Sequence, residues 1–481
     1  MANKQDGISL KVLVDKEKNR VIFAECDNDF VDILFSFLTN PMGTIIRLAS
    51  KHSLSARIGC MNNLYTSVES IDVQHFQNKV CRTMLLSPRN GAESHCMNLK
   101  LKIDDAEPRQ FYICWSNECR TSKFKLLSCY REAICECGNE MYSEFSPPET
   151  AIPAADRVVF VKVTNRYIIS DDLQVMVLCS ATSFSLLSKS GVMDWSTIEE
   201  KTFNLAINEV LDLLVRALVS RTPLTETLLT HKPVPDQLNS VFHYQGRSAE
   251  SLIKEEIMNH EERDICINLF VSKTKNMVCY AETKIDFVNL LFSFLTIPLG
   301  HIVKQVYGDR SLKGCINHLY QSIQDLDEQC FKSSEHKEIL VSPRLAPGFN
   351  YENVLLGIED ASPPPYYYCW SRYMGGQPNS NGNLGGYEVG PIEMTVMNSK
   401  SHGKDGKRRG GFLRGMNLFT VTDNLIVKPV SPILGLSILN ELKVPFSDIE
   451  ERTVNVGKEE AMRLLLSSFV SESALTNAFI K

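Results

Sequence analysis

FSFLTNPMG occupies residues 35–43, and almost the same nine residues, FSFLTIPLG, recur at 292–300. The flanking sequences match as well, since ISLKVLVDKEKNRVIFAE, GCMNNLYTS and LVSRTPLTETLL face ICINLFVSKTKNMVCYAE, GCINHLYQS and FVSESALTNAFI in the same order. This repeat is far longer than the roughly 20 to 50 residues of solenoid or propeller repeats. We therefore predict a tandem duplication of one unit, with a separate core in each unit.

The extent of the match sets the predicted domain boundaries. Residues 1–230 form the first unit, called the first copy below, and residues 264–481 form the second copy. Residues 231–263 contain paired prolines and then polar and charged residues, which indicates a linker. Each copy is further predicted to consist of two lobes. The predicted lobes are 1–150 and 151–230 in the first copy, and 264–411 and 412–481 in the second.

Hydrophobic periodicity indicates the α+β class, with β-hairpins packed on amphipathic helices. Residues 8–15 and 20–25 alternate around the polar KEKN turn, which predicts a hairpin. We expect Asp29, and Asp286 in the second copy, to cap the next helix, and the proline and glycine of the repeated stretch to stop it. This mixture lacks a regular alternation of strands and helices, so an α+β fold is expected.

Three further stretches carry specific predictions. GCMNNLYTSVESI, at 59–71, is predicted to contain a helix, and CRTMLLSPR, at 81–89, to contain a strand. Residues 197–220 predict the longest amphipathic helix. The repeated Cys60 and Cys315 are predicted to lie in the core, because a cysteine on an apolar helix face usually does.

Composition limits the function classes. The formal net charge is −6, with 51 Lys and Arg against 57 Asp and Glu, so the chain as a whole lacks the positive field on which nonspecific nucleic-acid binding relies. The N-terminal residues have no long apolar segment of a secretory signal, and the apolar run 30–38 is too short for a membrane span and contains Asp32. We expect a cytoplasmic or nuclear protein that does not insert into membranes.

One cysteine cluster is the candidate site. Cys114 with Cys119 and Cys135 with Cys137 form two closely spaced pairs, and four thiolates suit tetrahedral zinc. The glycine after the second pair favours a tight turn that aims backbone amides at sulfur. Reduced cysteines on strands and a redox pair are the alternatives.

Other residues near the cluster are weaker ligand candidates, and the second copy departs from its pattern. Cys129 could replace one ligand, whereas His95 and Cys96 lie upstream. The second copy keeps Cys369 opposite Cys114 but then becomes rich in Gly and Asn, so it cannot build the same site. We therefore expect a structural zinc in the first copy alone.

A basic run occupies residues 400–415, KSHGKDGKRRGGFLRG. From Lys400 to Arg414 it concentrates six cations among glycines, which suits either nuclear import or phosphate contact. In a net acidic chain we interpret the run as a solvated surface segment. Nucleic acid is therefore not the expected partner.

Five motifs resemble a plant family known only as domain of unknown function 674. They are VDKEKNRVIFAE, DFVDILFSFLTNPMGTI, GCMNNLYTSV, LLSPRN and LVSRTPLTETLL. The resemblance covers nearly the whole chain. It implies a plant protein with tandem copies, and it brings no established activity, cofactor or catalytic residue.

The sequence favours a non-catalytic scaffold or interaction protein with an unidentified protein partner. The sequence contains no phosphate-binding loop of the Walker type, no His-Glu-x-x-His and no Gly-x-Ser-x-Gly. The alternative hypothesis is a thiol-dependent enzyme or redox protein that uses the cysteines of the first copy. Whether the protein is an enzyme stays open, and the sequence favours a protein without enzymatic activity.

Overall fold

A computed structural model gives the fold. It describes residues 7–52, 57–105, 110–121, 125–145, 159–163, 165–192, 194–230, 265–306, 314–349, 355–362, 366–371, 375–379, 389–400, 411–415 and 417–480. The fold is α+β, as predicted, and combines helices with three sheets.

The elements of the first copy follow in chain order. They are β1 Ile8–Asp15, β2 Arg20–Cys26, α1 Asn28–Ser36, α2 Met42–Lys51, α3 Met61–Ser70, α4 Lys79–Leu86, α5 Glu93–Cys96, β3 Phe111–Ile113, α6 Asn117–Thr121, β4 Lys125–Ser128, β5 Ser143–Phe145, β6 Tyr167–Ser170, β7 Val175–Val177, α7 Ser180–Ser190, β8 Ile198–Leu205, α8 Ile207–Val219 and α9 Pro223–Thr225.

The elements of the second copy repeat most of this order. They are β9 Ile265–Ser272, β10 Met277–Thr283, α10 Ile285–Ser293, α11 Leu299–Gln305, α12 Ile316–Asp325, α13 Ser334–Val341, β11 Tyr366–Ser371, β12 Gly375–Asn379, β13 Val389–Val396, β14 Phe419–Thr422, β15 Val427–Pro429, α14 Pro432–Glu441, β16 Ile449–Val456, α15 Lys458–Val470 and α16 Ala474–Phe479. Within the described parts of the chain, no helix is long and apolar enough to cross a membrane.

Two five-stranded antiparallel sheets have equivalent strand orders. The first sheet runs β7-β6-β2-β1-β8, and the second runs β15-β14-β10-β9-β16. The predicted hairpin is confirmed as β1 and β2, and it recurs as β9 and β10. Each of these sheets contains strands from both predicted lobes of its copy. The predicted lobe boundaries near residues 150 and 412 therefore each run through one continuous sheet.

The third sheet contains strands of both copies. Its order is β12-β11-β13-β4-β3-β5, and the two copies meet where β13 pairs in parallel with β4, with Met394 opposite Lys125. Ser128 Oγ and Ser399 Oγ, both buried, lie 3.0 Å apart just beyond this junction. Backbone hydrogen bonds therefore connect the copies directly.

Most buried apolar side chains of both copies form one continuous hydrophobic cluster, from Ile8 to Ala478, and smaller clusters lie beneath α7 and α14. Our expectation of a separate core in each copy was therefore wrong. The reason is that the helices of each copy bury their apolar faces against the other copy as well as against their own sheet. The duplication and the domain boundaries themselves stay predictions.

The repeated stretch lies where the copies meet. Pro41 and Pro298 form a backbone bridge, in which Met42 N–H donates to Ile297 O at 3.0 Å and Leu299 N–H donates to Asn40 O at 2.9 Å. A Cβ on Gly43 would lie 3.1 Å from the Leu295 carbonyl oxygen of the second copy. The stretch recurs because each occurrence provides half of a contact between the copies.

The predicted capping of this helix was wrong in detail. Asp27 and Lys284 hold the N-cap positions of α1 and α10, whereas Asp29 and Asp286 lie inside the first turn. Proline does interrupt the helix as predicted, but Gly43 belongs to the next helix, α2, where it permits the close approach to the second copy.

A second pair of contacts joins the ends of helices reciprocally. Cys60 N–H, before α3, donates to Ser468 O in α15 at 2.7 Å, and Cys315 N–H, before α12, donates to Ala217 O in α8 at 2.9 Å. Both cysteines are fully buried, which confirms their predicted place in the core. The helix starts of each copy thus depend on the other copy.

Asp32 holds a buried backbone segment. Its carboxylate accepts hydrogen bonds from the N–H groups of Val159 at 3.3 Å, Phe160 at 2.9 Å and Val161 at 2.9 Å. The aligned residue of the second copy is Asn289, whose Oδ1 accepts from Leu413 N–H at 3.0 Å. A carboxylate in the first copy and an amide in the second therefore both accept hydrogen bonds from a buried backbone segment.

Two stretches adopt structures other than those predicted. Residues 79–86 form the helix α4 and not a strand, with Asn78 Oδ1 accepting from Cys81 N–H at 3.0 Å as its N-cap. The first half of 197–220 is the edge strand β8, and only its second half is helical, as α8. The helix predicted at 59–71 is confirmed as α3.

Candidate metal centre

Short elements of the first copy bring the four predicted cysteines together. Cys114 follows β3 directly, and Cys119 lies in α6. Cys135 and Cys137 lie in the turn between β4 and β5, on either side of Glu136. β3 is flanked by β4 and β5 in the third sheet. The turn that joins β4 to β5 therefore passes the C-terminal end of β3, which Cys114 follows.

The four sulfur atoms form a compact group, with all of them within 4.8 Å of one another. Cys114 Sγ lies 3.5 Å from Cys137 Sγ, and Cys119 Sγ lies 3.6 Å from Cys135 Sγ. A tetrahedral site with Zn–S bonds of about 2.3 Å places its sulfurs about 3.8 Å apart. The cluster therefore has the size of a four-thiolate metal site.

The turn that carries Cys135 and Cys137 has the backbone of a knuckle. Cys135 N–H donates to Asn139 O, and Gly138 N–H donates to Cys135 O, each at 2.8 Å. Gly138 has φ +89°, a left-handed conformation that favours glycine. The predicted role of this glycine in a tight turn is thus confirmed.

Two polar residues that the sequence did not single out surround Cys137. Its Sγ lies 3.4 Å from Ser116 Oγ and accepts from Asn139 Nδ2 at 3.3 Å. Ser116 and Asn139 each follow a cysteine of the cluster by two positions. That spacing was an available signal, because polar groups that orient ligands commonly stand next to them.

The thiols of the cluster differ in acidity. Partial burial opposes ionisation of Cys137, but hydrogen bonds from Ser116 and from the Asn139 backbone and side chain lower its pKa to about 6. Burial raises the pKa of Cys119 and of Cys135. One thiolate therefore forms readily near neutral pH, and a bound cation would favour loss of the remaining protons.

The other cysteines and the histidine considered as ligands lie outside the cluster. Cys129 is buried but does not belong to the group of four sulfurs. Cys96 Sγ lies 3.6 Å from Thr39 Oγ1, and the His95 ring packs on Phe160 and His336. These residues have structural partners of their own.

The second copy builds the equivalent half of the third sheet with Cys369 alone in place of the four cysteines. β11 and β12 have six and five residues and pair over five positions, whereas β3 and β5 have three residues each. A three-residue ladder is too short to be stable by itself. A longer hairpin in the second copy thus stands where the first copy has the cysteine cluster.

The basic run at 400–415 is described only at its ends, and Lys404, Lys407, Arg408 and Arg409 lie outside the described residues. Lys400 is buried, with Nζ 4.9 Å from the centre of the Phe412 ring. Arg414 Nε donates to Gln74 O at 2.7 Å. Lys400 therefore packs within the second copy, where its ammonium also donates to Phe349 O, and Arg414 contacts the first copy.

Comparison with known proteins places most of the chain in one group. The family model described as Protein of unknown function (DUF674) matches residues 4–459. Neither the curated proteins nor the solved structures gave a match.

Proposed function

The chain belongs to this family of unknown function, and from that premise we propose that it is a non-catalytic interaction protein whose first copy is stapled by a structural Zn²⁺. Cys114, Cys119, Cys135 and Cys137 would be the four ligands. The proposal places the protein in the cytoplasm or nucleus of plant cells, because unpaired thiols that bind zinc persist in reducing compartments.

The distances between sulfur atoms carry the zinc proposal. Cys114 and Cys137 are 23 residues apart along the chain, and their sulfurs lie 3.5 Å apart. Cys119 and Cys135 are 16 residues apart, and their sulfurs lie 3.6 Å apart. All four sulfurs can be ionised at such distances only with a cation between them, because four thiolates would otherwise repel one another strongly. Bound zinc relieves that repulsion and fixes the turn between β4 and β5 to the end of β3.

The donor set favours a structural role over catalysis. Four thiolates fill all positions of tetrahedral zinc, whereas catalytic zinc keeps one position open for water or substrate. The site also lies beside the junction of the two copies, because β4 pairs both with β3 and with β13. Zinc would therefore stabilise the part of the third sheet that carries this junction.

A thiol-dependent reaction is the second candidate function, and Cys137 favours it. This thiol is partly exposed, has a lowered pKa and lies 3.5 Å from a second sulfur. A low-pKa thiol beside another cysteine is typical of redox proteins. In such a protein the cluster would be free of metal and open to alkylating reagents.

Metal content tests the proposal. Elemental mass spectrometry of the purified full-length protein is expected to give about one zinc per chain. Cys135→Ser should lose this zinc and lower the melting temperature by several degrees, because the short β3 and β5 ladders then lack their staple. Cys129→Ser is the matched control, since this buried cysteine lies in the same region but outside the cluster.

Two outcomes would contradict the zinc staple. One is a metal-free parent protein whose Cys137 reacts rapidly with iodoacetamide in the native state, which would favour the thiol enzyme. The other is a Cys135→Ser variant that keeps its full zinc content.

A further inference from the structure

Large apolar side chains are exposed at equivalent positions of the two copies. Among the residues that the structure describes, Ile433, Trp195, Phe446 and Phe184 are the most exposed large hydrophobic side chains, each at least 69% accessible. All four lie on α7 or α14, or in the short turn that follows each of these helices. These helices lie on the outer faces of the first and second sheets, opposite the shared core.

The equivalence of these positions follows from the helix ends. Val192 N–H donates to Leu187 O at 3.2 Å after α7, and Val444 N–H donates to Leu439 O at 3.0 Å after α14. These bonds align Leu187 with Leu439. Phe184, three residues before Leu187, therefore aligns with Leu436, whose side chain is 53% accessible.

The two turns complete the correspondence. Trp195 and Phe446 each begin the short 3₁₀ turn before β8 and β16. Residue identity differs at both positions, with Phe184 against Leu436 and Trp195 against Phe446, but all four side chains are apolar and more than half exposed. Packing within the monomer does not require this, so binding is the better explanation.

In the second copy these residues border a groove. It has a volume of about 310 Å³ and lies between α14 and the outer face of the second sheet. Its apolar lining comes from Phe270, Tyr280, Leu436, Leu439, Phe446 and Ile449. Phe270 and Tyr280 stack at its floor with ring centroids 4.5 Å apart. We call this the outer groove.

Two carboxylates border the outer groove. Glu282 is one of its lining residues, and Glu451 lies directly opposite Phe270 in the register of β16 and β9. Burial and the negative charges of Glu282 and Glu451 together raise the pKa of Tyr280, so both carboxylates act on the groove floor. In the described part of the chain neither glutamate is in an ion pair. Lys428 lies on the same sheet, in β15, two strands away from Glu282 in β10, and Thr420 of β14 lies between them.

The charge differs between the copies. Glu25 and Glu200 of the first copy match Glu282 and Glu451 in register, but Lys11 stands opposite Glu25 where the second copy has Asn268 opposite Glu282. The second copy therefore has no lysine directly opposite its groove glutamate, and the lysine of that row, Lys428, lies two strands away.

We propose that the outer groove binds a segment of a partner protein that presents apolar side chains next to lysine or arginine. The apolar side chains would cover Leu436 and Phe446, and the cations would pair with Glu282 and Glu451. The same carboxylates disfavour an anionic membrane surface as the occupant. This inference rests on the proposed function, because it gives the interaction protein the chemistry of its partner.

A phage-displayed library of short random peptides, selected on the full-length protein, tests the inference. Selected peptides are expected to combine apolar residues with lysine or arginine, and Leu436→Ser with Phe446→Ser should weaken the best of them at least about tenfold. Glu282→Lys should also weaken binding about tenfold. Ile433→Ser is the matched control, because Ile433 is exposed on the same helix but does not line the groove.

Four outcomes would overturn the inference. They are selection of acidic peptides, selection of no peptide above the level of the double variant, binding that the double variant leaves unchanged, and self-association of the wild type that the double variant abolishes. The last result would make a second copy of this chain the occupant. Zinc content measured on the same samples keeps failure of the groove separate from failure of the proposed zinc site.

Discussion

Gly59→Ala is expected to lower the free energy of unfolding by about 3 kcal/mol or more, because a methyl group there collides with the other copy. A Cβ on Gly59 would lie 2.4 Å from Ser468 O and 2.8 Å from Phe469 O, both of which belong to the backbone of α15. Neither oxygen can move without opening the contact at the start of α3. Chemical denaturation followed by far-ultraviolet circular dichroism measures the effect.

Gly357→Ala is the matched control for this prediction. Gly357 has φ +67° against +50° for Gly59, so alanine is strained in the backbone at both positions. No atom lies within 4 Å of a Cβ at Gly357, so only the backbone strain of about 1–2 kcal/mol should appear there. Equal losses in the two variants would contradict the tight contact between the copies.

Asp32→Ala is expected to cost at least about 3 kcal/mol, because it leaves the three buried N–H groups of Val159, Phe160 and Val161 without their acceptor. Asp32→Asn should cost about 1 kcal/mol or less, since Oδ1 of an amide can accept the two shorter bonds. Asn289 already holds the equivalent segment in this way. A similar loss in both variants, measured by denaturation, would contradict this role.

The same pair of proteins should differ in pH dependence. Burial raises the pKa of Asp32 to about 7, although the three N–H donors oppose the shift. The folded protein thus holds a proton that the unfolded chain releases near pH 4. The resulting stability is present below about pH 4 and is lost as the pH rises through about 7. Relative to Asp32→Asn, the wild type should therefore lose stability between about pH 4 and about pH 7, and a constant difference would refute the buried carboxyl.

Local patterns in the sequence were sufficient to predict part of the structure. Alternation around KEKN identified the hairpin of β1 and β2, and helical spacing identified α3. The spacing of Cys114, Cys119, Cys135 and Cys137 also predicted a cluster that the fold does bring together. In each case residues close along the chain carry the signal, so no knowledge of tertiary contacts was required.

Errors arose where tertiary context decides between two local structures. Residues 198–205 contain Glu, Glu and Lys, which favour a helix, yet they form the edge strand β8 because β1 offers a complete ladder from Ile8 to Asp15. The run at 81–89 was too short to separate a strand from a buried helix, and the decisive cap, Asn78, lies before it.

The contacts between the copies could not be predicted from the repeat itself. The repeat showed that FSFLT, proline and glycine occur at equivalent positions in both copies. A helix in a separate core and a helix at a contact between the copies both require this apolar pattern, so the sequence could not distinguish them. Only the fold shows that Pro41 meets Pro298. The outer groove was missed for a related reason, since exposure of Leu436 and Phe446 is not visible in their identity.

X-ray absorption at the zinc edge of the purified full-length protein tests the central claim most directly. Four sulfur ligands at about 2.3 Å from zinc are predicted for the wild type and for Cys129→Ser. A shell with nitrogen or oxygen ligands, or a protein that contains no zinc, would contradict the assignment of Cys114, Cys119, Cys135 and Cys137 as the four ligands of a structural zinc.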